Sequence, residues 1–172
     1  MKKLLLHVCC APCSTHSIEE LKKDYKVTLF FSGSNIYPKE EYEKRLNEAR
    51  KIAKIYDLEL VEDSYNHAAW REFIKGLEAE PEGGRRCEKC FEFNLKRARD
   101  YAEEHGFDLF TTTLTISPHK NSQKIFSIGR KLGRFLEIDL KKKDGFRRSV
   151  ELSKKHGLYR QNYCGCEFSI RK

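Results

Sequence analysis

Seven cysteines in a chain of 172 residues fall into three groups, and each spacing allows its own chemistry. Cys9, Cys10 and Cys13 stand in HVCCAPC, directly after an apolar run; Cys87 and Cys90 form a C-x-x-C behind Gly83–Gly84; Cys164 and Cys166 form a C-x-C around Gly165. A free Cys packs as a small hydrophobe, which accounts for one thiol in HVCCAPC but not for three. At a strand-to-helix turn, unpaired backbone N–H groups and the helix dipole stabilise thiolate, the form that binds metal or attacks electrophiles. The C-x-x-C alone fits zinc, iron–sulfur or thioredoxin-type redox chemistry. It does not open on the first strand–helix unit, which favours metal ligation, and the paired glycines let the backbone curl around a bulky group. A C-x-C permits a strained disulfide, and strained disulfides are the labile, catalytic ones; further metal ligation is its competing role.

An odd number of cysteines cannot all pair within one chain, and a reducing cytosol disfavours structural disulfides. Four thiolates from two distant segments suffice for a [4Fe–4S] cluster or for zinc: Cys9, Cys10 or both with Cys87 and Cys90, and Cys13 as substitute or extra. The C-x-C separates the two, because redox-inert zinc has no use for a dithiol beside it. Weaker candidates follow. His7 reads as a satisfied core histidine. His119 and Lys120 in SPHKN, at the end of another strand, can reach the same site, hold a phosphate or cap the next helix. Tyr37 in NIYP is a stacking platform for a base or a loop-packing residue, and Trp70 reads as core.

The elements that must position these groups alternate. Strands are expected over 3–8, 27–31, 58–61, 109–113 and 135–138, and helices over 14–23, 39–56, 67–77, 88–105, 123–132 and 147–156, from β-branched runs and from apolar residues at helical spacing. EPEGGRR breaks the chain before the C-x-x-C helix, and 158–172 has no strong period. Alternating strands and helices imply an α/β fold with a mostly parallel sheet covered on both faces, whose ligands sit at the carboxyl ends of the strands. HVCCAPC occupies that place on the first strand. Neither repeat nor linker divides 1–172, so one α/β domain is expected, with 157–172 as a Cys-bearing tail.

Lys and Arg number 34 against 26 Asp and Glu, a net charge of +8. That balance favours an anionic partner, nucleic acid first, although a Lys/Glu-rich surface is also a hyperthermophile trait. Clusters lie at Arg85–Arg86, Lys141–Lys143 and Arg147–Arg148, and in a tail with Arg160, Arg171 and Lys172. No stretch approaches the roughly 20 apolar residues of a membrane helix. Lys2 and Lys3 precede a short apolar run without a small-residue cleavage site, so the opening is read as a strand rather than a secretory leader. A cytoplasmic location is expected.

Five motifs in order, HVCCAPCS, NIYPKEEYEKR, GGRRCEKCFEFNL, TTTLTISPHKN and YCGCEFS, resemble the cobalamin-independent epoxyqueuosine reductase family, QueH, across nearly the whole chain. The resemblance implies a Rossmann-like sheet of the HUP and PP-loop type. CCAPCS stands where a PP-loop would carry S-G-G-x-D-S, so thiols replace the phosphate cradle and ATP-dependent adenylation is not expected. It further implies that Cys9, Cys10, Cys87 and Cys90 hold a [4Fe–4S] cluster, that Cys164 and Cys166 are a redox-active pair, and that Cys13 serves an additional iron or no metal. The implied reaction is the two-electron removal of the epoxide oxygen of epoxyqueuosine at the tRNA wobble position. Its partners would be the anticodon stem-loop of queuosine-containing tRNAs and an external electron donor, with no membrane. Rival readings are a zinc-stabilised tRNA-binding protein, a tRNA-thiolating enzyme of the same fold, and a general thiol–disulfide oxidoreductase. His119, Tyr163 and Tyr37 are the candidates for proton donation.

Overall fold

Side-chain alternation builds the two faces of the sheet. In β1 (Lys3–Val8) Leu4, Leu6 and Val8 enter one core while Leu5 enters the other; in β2 (Lys26–Phe31) Val27, Leu29 and Phe31 join the first and Phe30 the second. Successive strand residues point to opposite faces, so two buried strands need a helical layer on each side. The structure, a computed structural model, describes residues 1–170; Arg171 and Lys172 of the expected basic tail lie outside the described residues.

The remaining elements are α1 (Ala11–Leu21), α2 (Lys39–Tyr56), β3 (Leu60–Glu62), α3 (His67–Phe73), α4 (Arg85–Glu104), β4 (Leu109–Thr112), α5 (Ser122–Leu132) and α6 (Gly145–Lys155), with short 3-10 turns at Thr113–Ile116 and Glu167–Ser169. The four strands are all parallel, in the order β3-β2-β1-β4, with Leu4 opposite Val27 on one side and Leu109 on the other. Ile18 and Leu21 of α1 and Leu46, Ala49 and Ile52 of α2 cover one face; Phe91, Leu95 and Ala98 of α4 and Ile125 of α5 cover the other. Strand order reverses beside β1, so the carboxyl end of β1 is the switch point where such sheets bind ligands.

Three expectations are corrected. The segment 135–138 is not a strand: it makes one parallel bridge, Phe110 to Phe135, and beyond it the hydroxyls of Thr111 and Thr115 donate to the carbonyls of Leu136 and Ile138. Side chains thus take the place of the backbone ladder. The third strand starts at Leu60 rather than Leu58 because Asp57, left-handed at φ 53°, closes α2 and the N–H of Leu58 still donates to Ala53. The helix after β1 begins at Ala11 rather than Ser14, with Pro12 in its first turn, where a missing N–H costs nothing. Cys10 is therefore the N-cap, and Cys13 lies inside the helix.

Candidate active site

All seven cysteines are free, and all line one of two neighbouring cavities. The larger, about 460 Å³, has Cys9, Cys10 and Cys13 in its wall together with Cys164 and Lys120. The smaller, about 20 Å³, is lined by Cys87, Cys90, Cys164, Cys166, Trp70 and Arg86. Cys164 belongs to both. The fold thus brings the three sequence-distant groups to one place, above the end of β1 and beside the first turns of α4.

Each group is held by its local structure. Cys10 accepts hydrogen bonds from the thiols of Cys13 and Cys9, which hold its pKa well below the ordinary thiol range against the opposing effect of burial; Arg45 adds to the lowering. Cys9 and Cys13 go the other way, raised well above it by those same bonds to Cys10 and by burial. Of the three, Cys10 is thus the thiol whose ionisation its neighbours favour, since adjacent thiols cannot all ionise cheaply. In α4, Gly83 at φ 87° turns its N–H onto Cys87 Sγ at 3.2 Å. Burial raises the pKa of Cys87, with that N–H in opposition. Burial raises Cys90 further.

The C-x-C is clamped from α2. Arg45, 1% exposed, donates from Nη1 to the carbonyl of Cys164 at 2.9 Å and from Nη2 to that of Tyr163 at 3.0 Å, while its Nε pairs with Glu41 at 2.9 Å. Gly165 sits at φ 141°, and a Cβ there would lie 3.1 Å from Arg45 Nη1. The Gly165 carbonyl accepts from the Tyr37 N–H at 2.8 Å.

Buried polar atoms around the smaller cavity lack partners. Arg86 is 2% exposed and forms no ion pair with a carboxylate among the described residues; its Nε, the Trp70 Nε1 and the Asn94 Oδ1 have no hydrogen-bond partner. A buried guanidinium needs an anion, and the cavity's thiols are the groups that can provide one. Lys120 shows the same demand in the larger cavity. Burial would lower its pKa, but the electrostatics of the surrounding thiol cluster raise it above the ordinary lysine range instead. Among the described residues no three His, Cys, Asp or Glu side chains are drawn together as a formed metal site. Chemically the thiols can hold a soft metal or a cluster, and their surroundings supply the positive charge such a group requires.

The family model of epoxyqueuosine reductase QueH matches residues 4–172. The chain belongs to the QueH family. The QueH of Streptococcus pyogenes serotype M1 is 40% identical over 98% of this chain and 70% of its own length; that of Thermotoga maritima is 37% identical over 99% and 91%, and that of Dehalococcoides mccartyi 35% over 97% and 92%. QueH proteins are oxidoreductases of queuosine synthesis in tRNA modification. A predicted subunit of tRNA methyltransferase from Methanocaldococcus jannaschii shares the fold, with a TM-score of 0.58 at 14% identity, over 88% of this chain and 74% of that one. No helix among the described residues is long and apolar enough to cross a membrane.

Seen as a QueH chain, the structure sorts the weaker candidates. His7 is a satisfied core residue, bonded to Thr112 Oγ1 at 2.9 Å and the Ser32 carbonyl at 3.0 Å, and burial lowers its pKa to about 4. Trp70 is core as expected, fully buried with Ile74 and Cys166. His119 lines the larger cavity; it does not cap α5, which Asn121 caps by accepting from the N–H groups of Gln123 and Lys124. Tyr37 is absent from the cavity wall. Its ring lies 5.4 Å from that of His67, and its carbonyl accepts from the Tyr163 hydroxyl at 2.7 Å, so it braces the tail. Sequence reasoning missed Arg45 and Arg86. GGRRC marks a basic pair, yet only burial tells Arg86 from the exposed Arg85, which pairs with Glu80.

Proposed function

We propose that this chain reduces epoxyqueuosine to queuosine at the wobble position of tRNA, with Cys9, Cys10, Cys87 and Cys90 holding a [4Fe–4S] cluster and Cys164 and Cys166 acting as the redox pair. Cys13 is the thiol left for an additional iron. The observation that supports this most is the position of Cys164, in the wall of both thiol-lined cavities: a dithiol there can exchange electrons with either side. The orphaned Arg86 and Trp70 donors fit an anionic, sulfur-rich group beside Cys87 and Cys90.

Losing the epoxide oxygen as water consumes two electrons and two protons. Closure of the Cys164–Cys166 dithiol to a disulfide releases two of each, so the sum balances as epoxide plus dithiol giving alkene, disulfide and water. An external donor then re-reduces the pair. The cluster held by Cys9, Cys10, Cys87 and Cys90 would supply one-electron transfer, and an additional iron at Cys13 would supply Lewis acidity. The residues of the chain do the rest. Arg45 fixes the C-x-C backbone, the larger cavity has the volume for a nucleoside, and the Lys120 ammonium can donate a hydrogen bond to the departing oxygen. The basic surface suits the phosphates of an anticodon stem-loop. A zinc-stabilised binding module has no use for a dithiol with one thiol in the wall of both cavities.

The test is anaerobic reconstitution with iron and sulfide, followed by turnover of epoxyqueuosine-containing tRNA and mass analysis of the released nucleoside. The expected product is lighter by one oxygen. An unchanged nucleoside with the cluster intact rejects the reaction, and tightly held zinc without sulfide rejects the cofactor.

A further inference from the structure

In the wall of the larger cavity built by α6 and the segment leading to the C-x-C, three residues have unspent recognition capacity. Phe146, in the first turn of α6, is 42% exposed although it lines the cavity. Ser149 stands three residues on, on the same helix face; it is 3% exposed and its Oγ has no partner. Gln161, from the segment leading to the C-x-C, has its Oε1 buried in the same wall, also without a partner. A buried acceptor without a donor costs free energy unless a ligand satisfies it. The cations that line the cavity, Lys120 and Arg160, make no ion pair with a carboxylate among the described residues. An exposed aromatic ring beside free cations and unpartnered polar atoms is how unpaired RNA bases are held, by stacking, edge hydrogen bonds and phosphate contacts.

We infer that Phe146, Ser149 and Gln161 form a subsite that selects the base of the extruded wobble nucleotide: Phe146 stacks on it, and Gln161 accepts from the donors of a guanine-type edge. The inference rests on the reading that tRNA is the substrate and deepens it. Epoxyqueuosine is a 7-deazaguanosine, so its Watson–Crick edge presents the N1–H and 2-amino donors of guanine, both absent from adenine. The Gln161 acceptor discriminates by those donors, while the Ser149 hydroxyl, donor and acceptor at once, completes the contact to the nucleoside. The thiols then face the substituent of the base rather than its pairing edge.

The test is binding of anticodon stem-loop RNAs with guanine or adenine at the wobble position, followed by fluorescence anisotropy. Wild-type protein is expected to prefer guanine by on the order of tenfold, the scale of a buried acceptor left unpaired. In Gln161→Leu that preference collapses; because it is a ratio within one preparation, a reduced folded fraction does not affect it. Phe146→Ala and Phe146→Leu weaken both RNAs by roughly 5- to 100-fold, the range of one base–aromatic stack, and Phe146→Tyr restores affinity. Equal binding of both RNAs by the wild type, a retained preference in Gln161→Leu, or full affinity in Phe146→Leu overturns the subsite. So does a change of oligomeric state in Phe146→Ala without a change in RNA affinity, which would make the ring a contact between copies. Failure of the reaction is separable: wild-type protein that prefers guanine but leaves epoxyqueuosine unreduced rejects the reaction and keeps the subsite.

Discussion

Arg45 and Cys164, separated by 119 positions in the chain, are joined by a hydrogen bond of 2.9 Å from the guanidinium to the backbone carbonyl. A side chain from the second helix thereby sets the position of a thiol in the tail. Replacing Arg45 with Met strips the donors from two carbonyls and the ion-pair partner from Glu41, which keeps only the Tyr159 hydroxyl among the described residues. The expected cost is about 2–4 kcal/mol in urea-induced unfolding, from lost charge-assisted bonds and an unpaired, part-buried carboxylate. Alkylation of Cys164 and Cys166 should quicken before the rest of the chain unfolds. Unaltered alkylation rates would show that the clamp does not hold the tail.

Gly165→Ala tests the same clamp from the other side. At φ 141° any side chain is strained, and this Cβ would approach Arg45 Nη1, Asn35 Nδ2 at 3.3 Å and Ile36 Cγ1 at 3.3 Å. The expected loss is about 1–3 kcal/mol, with turnover down at least tenfold because the two thiols are displaced. Reductase activity within twofold of wild type would reject a strict geometric demand on the C-x-C.

Cysteine replacements should separate by group. Cys164→Ser and Cys166→Ser are expected to take up iron and sulfide like the parent and to lose turnover of the epoxide. Cys87→Ser or Cys90→Ser should lose the cluster's visible absorption. Cluster loss in Cys166→Ser would move that thiol from redox partner to ligand.

His7 imposes a pH dependence on stability. Burial lowers its pKa from 6.5 to about 4, so the folded protein holds it neutral while the unfolded chain protonates it below pH 6.5. The stability this represents is present above pH 6.5 and is lost as pH falls toward 4, amounting to about 2 kcal/mol by pH 5 and about 3 kcal/mol at full protonation. Urea midpoints compared at pH 7.5 and 5 should show it, and His7→Gln should flatten that part of the profile. An equal slope in the variant would assign the dependence to other groups.

Most of the scaffold was legible because its elements are governed by local pattern. The run from Lys39 to Tyr56 repeats at helical spacing and forms α2 over those same residues. The segment 135–138 misled because its β-branched and aromatic composition says nothing about the threonine hydroxyls that replace its ladder. In the site, the three thiol groups could be recognised by type and spacing, whereas their sharing of Cys164 depends on how the tail folds back. Arg45 looked like one more charge on an amphipathic helix; its burial is decided by residues far away in sequence. Phe146 and Gln161 carry no motif, and only their place in a common wall distinguishes them.

The parallel sheet is complete at Thr112, yet the C-x-C follows more than fifty residues later and leaves a ribosome well after it. A nascent chain can therefore assemble its scaffold while Arg45 still waits for its carbonyl partners and the HVCCAPC thiols stand open to oxidants. Docking of the tail closes that window: an oxidant that arrives earlier meets HVCCAPC without its cover, and translation halted before Tyr163 leaves an ordered but unguarded enclosure.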